Sequence, residues 1–138
     1  MVRGDRKVIA KTKELIGKAK TELLLNFGWV ETSTIRQILP ALRDANSRGV
    51  EVKIICSPKE KQVRREVASL LTRVAKLKFA EVFLMNAVIV DHEEVLLVIL
   101  AGLSETGYPK EKAGFWVLDP GLAEMGRSYF EFFWELSE

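Results

Sequence analysis

Apolar residues recur at helical spacing near the start of the chain. Val8, Ile9, Leu15, Ile16 and Ala19 fall on one stripe, with Lys11, Lys13, Lys18 and Lys20 largely outside it. The run TELLLNFG, Thr21 to Gly28, is short, apolar and closed by a glycine, and predicts a buried strand. A second helical stripe follows in Ile35, Ile38, Leu39, Leu42 and Ala45. Thr32, Ser33 and Thr34 are its capping candidates and Gly49 its stop signal. Pro40 interrupts that stripe, so either one helix kinks there or a second helix opens at the proline. VEVKIICS, Val50 to Ser57, alternates and then becomes continuously apolar, as a strand inside a sheet does, and Pro58 ends it. From Lys59 to Leu77 the residues Val63, Val67, Leu70, Leu71, Val74 and Leu77 predict a third helix. Its other side carries Lys59, Lys61, Arg64, Arg65, Arg73 and Lys76.

The pattern then changes. FAEVFLMN, AVIVDH and VLLVILA read as closely spaced strands, with Asp91-His92-Glu93-Glu94 as a hairpin turn. GLSETGYPKEKAG, Gly102 to Gly114, reads as a loop and FWVL as a last strand. In DPGLAEMGRSYFEFFWELSE, Asp119 caps a helix with Pro120 in its first turn, and Leu122, Met125, Tyr129, Phe132, Phe133 and Leu136 form an apolar face. Phe130, Phe132, Phe133 and Trp134 are too many for one stripe, so the helix is either sandwiched in the fold or offers a second face to another subunit. The order α-β-α-β-α-β-β-β-β-α predicts one α/β domain over residues 1–138. Its early β-α-β units imply a mixed, mostly parallel sheet with helices on both faces.

Composition narrows the function. Hydrophobic residues make up 48% and charged residues 29%, an ordinary globular balance. No apolar run reaches the ~20 residues of a membrane helix, and no apolar segment follows the basic start as in a signal peptide. The lone Cys56 excludes an internal disulfide and a cysteine metal cluster, and its strand context predicts a buried thiol in a cytoplasmic protein. The net charge of +2 hides an asymmetry: residues 1–90 carry 18 basic and 9 acidic side chains, residues 91–138 carry 3 and 10. Such a split predicts surfaces of opposite sign that meet within the fold or across a dimer, or a basic face offered to nucleic acid.

Candidate chemistry is sparse. Asp91-His92 invites a catalytic reading, but neighbours on a strand or turn point apart, and the following Glu93-Glu94 marks a polar hairpin tip. An exposed turn histidine is expected. Ser104 and Ser57 lack the context of an activated nucleophile, and Gly17-Lys18 lacks the earlier glycine and strand of a phosphate loop. Neither a cofactor nor a metal site is expected.

The segments KAKTELLLNFG, LRDANSRGVEVKIICS, NAVIVDHEEVLLVIL and SYFEFFWEL together resemble the phospholipase-D-like fold, and in particular the effector-sensing domain of archaeal TrmB-type transcription regulators. Enzymes of that superfamily carry a His-x-Lys-x-x-x-x-Asp motif, whose histidine attacks phosphorus while the lysine holds phosphate oxygens. With Asp91 on the motif's aspartate, Leu84 stands at the histidine position and Asn86 at the lysine position. Leucine forms no phosphohistidine and asparagine brings no cation, so the resemblance implies a site that keeps its shape without its reagents. It further implies a homodimer whose strand ends bear Asn26, Ser57, Leu84 and Asn86 as ligand-binding candidates for a neutral polar molecule such as a sugar. DNA would be reached through a separate winged-helix domain. The other reading is a nucleic-acid-binding or nuclease-related module that uses Lys59, Lys61, Arg64, Arg65, Arg73 and Lys76 to track phosphates.

Overall fold

The computed structural model describes residues 1–29, 31–58, 60–81, 85–103 and 109–138. The elements are β1 (Val2–Arg3), α1 (Asp5–Lys18), β2 (Glu22–Phe27), α2 (Thr32–Ser47), β3 (Glu51–Cys56), α3 (Lys61–Leu71), β4 (Lys76–Phe79), β5 (Asn86–Val90), β6 (Glu94–Leu103), β7 (Pro109–Leu118) and α4 (Pro120–Leu136). The strands join in one sheet of order β1-β7-β6-β5-β2-β3-β4. Only β2-β3 and β3-β4 pair in parallel, and the pairings β1-β7, β7-β6, β6-β5 and β5-β2 are antiparallel. The expected mostly parallel sheet is therefore corrected to a mostly antiparallel one. The right-handed β-α-β units end at β4, and every later connection is a hairpin or a reversal.

Helices cover both faces, as expected, but unequally. α1, α2 and α3 enclose the main core with Leu23, Leu25, Ile54, Val88 and Leu96 of the sheet. α4 alone covers a smaller core of Leu24, Ile55, Ile89, Val95, Ala123 and Phe130. β2 lies between the two cores, and its Leu23, Leu24 and Leu25 are each fully buried. This is why TELLLNFG is apolar without alternation.

Local signals explain most boundaries. α2 runs unbroken through Pro40, so the single-helix option holds. None of Thr32, Ser33 or Thr34 caps it; the N-cap is Glu31, with no side-chain cap bond. Its end is a Schellman closure. Gly49 takes φ 83°, its N–H donates to Asn46 O, and the Val50 N–H donates to Ala45 O. Arg48 then donates to the carbonyls of Ala19 and Ile16, tying the ends of α1 and α2 together.

Two segments depart from the pattern. α3 stops at Leu71, because Val74 N–H and Ala75 N–H both close back on Leu71 O. The chain then enters β4 at Lys76, upstream of the expected strand FAEVFLMN. The expected loop 102–114 is largely strand, since β6 extends to Leu103 and β7 begins at Pro109. Ser104 lies outside the described residues.

α4 begins as the sequence implies: Asp119 accepts the Leu122 N–H and Pro120 opens the helix. Its buried face is a different one. Ala123 and Phe130 are enclosed, and an added Cβ on Gly126 would stand 3.0 Å from Ile89 Cδ1, so small residues let the helix settle onto the sheet. Leu122, Met125, Phe132 and Leu136 of the expected apolar face are exposed instead.

Candidate functional site

β5 lies between β2 and β6, and its two ends carry the positions singled out in the sequence. At its start, Asn86 accepts the N–H groups of Gly28 and Trp29 at 2.7 and 3.2 Å and donates to Trp29 O at 3.2 Å. One side-chain amide thus fixes the turn from β2 to α2. Asn26 sits at the same sheet end. The pleat aims it to the α4 side, two residues beyond buried Leu24, whereas Asn86 shares the α1 side with Val88 and Val90. The Asn26 amide nitrogen donates to Met85 O at 2.6 Å, and its oxygen is buried with no hydrogen-bond partner among the described residues. Ser57 donates to Ala80 O at 3.1 Å. Asn26, Ser57 and Asn86 therefore gather at one end of the sheet but on different faces, and Leu84 falls outside the described residues.

The far end of β5 is held by Asp91. Its carboxylate accepts Lys20 N–H at 2.9 Å, Thr21 N–H at 2.8 Å, Thr21 O–H at 3.0 Å and Glu22 N–H at 3.0 Å. Partial burial pushes the Asp91 pKa up, but the donors from Glu22, Thr21 and Lys20 outweigh it and hold the carboxyl below its ordinary value. Asp91 and His92 both take positive φ, 51° and 61°, and Glu93 N–H closes the turn on Val90 O. This is the type I′ geometry of tight hairpins, which aspartate tolerates better than most residues.

His92 is the exposed turn histidine expected. Its Nε2 lies 3.1 Å from Glu22 Oε1, a carboxylate that also receives Arg127 Nε at 3.1 Å. Its Nδ1 lies 3.7 Å from Glu124 Oε2, so among the described residues its ion-pair contacts are with carboxylates. Cys56 is buried, and burial pushes its thiol up to about 12. Among the described residues no cluster of three or more His, Cys, Asp or Glu could hold a metal ion.

The basic positions do not form one helical face. Lys61, Arg64 and Arg65 lie on α3, Arg73 in the following turn and Lys76 on β4, while Lys59 is outside the described residues. The Arg64 guanidinium stacks 4.4 Å from the Phe79 ring centroid, and Lys76 pairs with Glu51 at 3.7 Å. Part of the charge asymmetry closes within the fold. Lys18 reaches buried Glu94 at 3.1 Å, where the Trp116 indole N–H also donates at 2.8 Å, and Lys53 reaches Glu131 at 3.8 Å.

The α4 side carries a second feature. Beyond the helix, Ile99, Phe115 and Val117 of the β6-β7 hairpin remain exposed, beside Leu118, Leu122, Met125, Phe132 and Leu136.

The model of the family "Transcriptional regulator TrmB, EBD N-terminal subdomain" matches residues 1–138. The chain belongs to this family. As a TrmB-family chain it is a domain of transcription-regulator type. TrmBL2, an archaeal chromatin protein with a novel mode of DNA binding, superposes at TM-score 0.67 and 24% identity over 99% of this chain. That match covers 52% of TrmBL2, so this chain spans about half its length. Nuc from Salmonella typhimurium, a phospholipase D family member, matches at TM-score 0.69 and 21% identity, covering 94% of this chain and 88% of Nuc. NucT from Helicobacter pylori matches at TM-score 0.71 and 16% identity, covering 96% and 90%. No curated protein matches the chain significantly. The TrmB-family chain thus has a phospholipase-D-like fold, and no helix among its described residues is long and apolar enough to cross a membrane.

Three residues on the α1 side escaped the sequence. Lys112 was assigned to a loop yet is buried on β7, and neither Glu31, which it bonds at 3.3 Å, nor Trp29, whose ring it faces, was singled out. Alternation of Lys112, Gly114 and Trp116 toward α1 is the signal that would have found Lys112.

Proposed function

We propose that this chain is the single, non-catalytic sensing and dimerising domain of a TrmB-type regulator in the cytoplasm. DNA is then reached through a separate winged-helix domain. The observation that carries the reading is the commitment of Asn86. The residue at the motif's lysine position brings no cation, and its amide accepts the Gly28 and Trp29 N–H groups and donates to Trp29 O. Asn86 itself offers a phosphoryl group no ammonium and Leu84, at the histidine position, no imidazole.

Recognition is assigned to the sheet end that bears Asn26, Ser57 and Asn86; Leu84 lies outside the described residues. The unpartnered oxygen of Asn26 is an acceptor suited to a hydroxyl of a neutral polar ligand such as a sugar. Pairing of two copies is assigned to the exposed apolar face, where Phe132 is 61% and Met125 70% exposed. A nucleic-acid module built on Lys61, Arg64, Arg65, Arg73 and Lys76 has less support, because Arg64 and Lys76 are engaged within the fold.

The test combines thermal denaturation with sedimentation. A neutral sugar is expected to raise the melting temperature of the wild type and not of Asn26→Ala. The wild type is expected to sediment as a dimer and Phe132→Glu as a monomer of unchanged melting temperature. A monomeric wild type without sugar response, retarding DNA in a salt-dependent way, would replace this reading with the nucleic-acid one.

A further inference from the structure

A cleft on the other face of the sheet has chemistry of its own. It opens between α1, the start of α2 and β7, with walls of Val8, Ile9, Ile35, Ile38 and Val98. Its inner cavity is about 40 Å³, about the space one water takes up in the liquid. Outside, it continues past Ile9, Glu31 and Thr34 into an open groove of about 380 Å³, whose rim includes Arg6, Lys13 and Gln37 as well as Asp5. That groove is in the size range of small-molecule sites.

One cation is set into the apolar wall. Lys112 is 7% exposed. Its Nζ lies 5.2 Å from the Trp29 ring centroid and 3.3 Å from Glu31 Oε1. Among the described residues Glu31 is the only hydrogen-bonding partner of this ammonium, which has three N–H groups to satisfy. The Glu31 side chain is 40% exposed at the mouth of the cleft, so its carboxylate is free to leave toward water. A buried ammonium without an anion is strongly unfavourable, so whatever displaces Glu31 must itself be negative.

We propose that this cleft binds a small organic carboxylate. The ligand's carboxylate replaces that of Glu31 on Lys112, beside Trp29, and its body lies in the groove along Ile9 and Gln37. Glu31 occupies the position in the empty state and sets the affinity by competing. This site goes beyond the neutral-ligand reading at Asn26: it lies on the opposite face of the sheet, where Asn86 lines its inner end, and it takes ligands of opposite preference.

The experiment is a two-dimensional amide NMR titration of the full chain with benzoate and its neutral counterpart benzamide, on wild type, Glu31→Gln and Lys112→Met. Benzoate is expected to shift the signals of Lys112, Thr34 and the Trp29 indole, and to bind Glu31→Gln about fivefold more tightly than wild type. Lys112→Met is expected to lose benzoate binding, and benzamide to leave all three proteins unchanged. Should Lys112→Met fail to fold, the comparison of wild type with Glu31→Gln decides alone. Equal binding of benzamide, no gain in Glu31→Gln, or no benzoate binding to either protein overturns the proposal. A neutral sugar that shifts Asn26 and Ser57 while benzoate shifts nothing would sink this site and leave the sensing reading in place.

Discussion

The two ends of β5 hold their polar residues in opposite ways. At the Val90 end, Asp91 is ionised, receives donors from three consecutive residues and aligns the entry to β2. At the Asn86 end, a neutral amide accepts the N–H groups of Gly28 and Trp29. The contrast separates two reasons for a polar residue at a strand end. A carboxylate that organises backbone remains useful without any reaction, because it satisfies N–H groups at the mouth of a buried strand. The Asn86 amide also organises backbone, but it does so while neutral and adds no charge at its end of the strand.

The sharpest way to break the comparison is Asp91→Ala. It removes the acceptor for four donors at the start of β2 and is expected to cost about 2–3 kcal/mol in urea unfolding. Asp91→Asn, which keeps one acceptor oxygen, is expected to cost less. Asn86→Ala comes next, at about 1–2 kcal/mol, through loss of the Gly28 and Trp29 bonds; amide exchange at Gly28 and Trp29 reports it directly. A cost at Asn86 equal to that at Asp91 would blur the distinction.

Acid sharpens the same contrast on a smaller scale. The Asp91 pKa is lowered in the folded chain, so its contribution is complete above the ordinary value of 3.8 and is lost as pH falls through the lower folded value. Wild type and Asp91→Asn are therefore expected to converge in stability as pH falls below about 3.8, measured by urea midpoints at each pH. The smallest effect is reserved for His92→Ala. Its ring is 46% exposed and its partner Glu22 keeps Arg127, so about 0.5 kcal/mol or less is expected at neutral pH.

Much of this was legible because single elements carried unambiguous patterns. β2, β3, β5 and β6 stand where short apolar runs lie, and the Asp91-His92 turn where polarity interrupts them. β4 was misplaced because Val74 and Leu77 continue the period of α3, while the tell-tale alternation of Lys76-Leu77-Lys78-Phe79 covers only four residues. The sheet was read as mostly parallel because the early β-α-β order dominates the chain, whereas the β5-β6-β7 meander and two-residue β1 outnumber it in pairings. The buried face of α4 could not be chosen by hydrophobicity, since both faces are apolar. Ala123 and Gly126, small enough for close approach to Ile89, were the discriminating residues.

The site was legible in part. Asp91, Asn86 and Leu84 were singled out through the spacing of a known motif, and the Asn86 amide bonds Gly28 and Trp29. Lys112 left no mark, because a buried lysine looks like any surface lysine until its partners are known.

The central claim, that the Asn86 end recognises and does not react, is tested most directly by incubating the purified chain with the phosphodiester bis-p-nitrophenyl phosphate. Release of nitrophenol is expected to match the protein-free control. Turnover above that control which disappears in Asn86→Ala would contradict it.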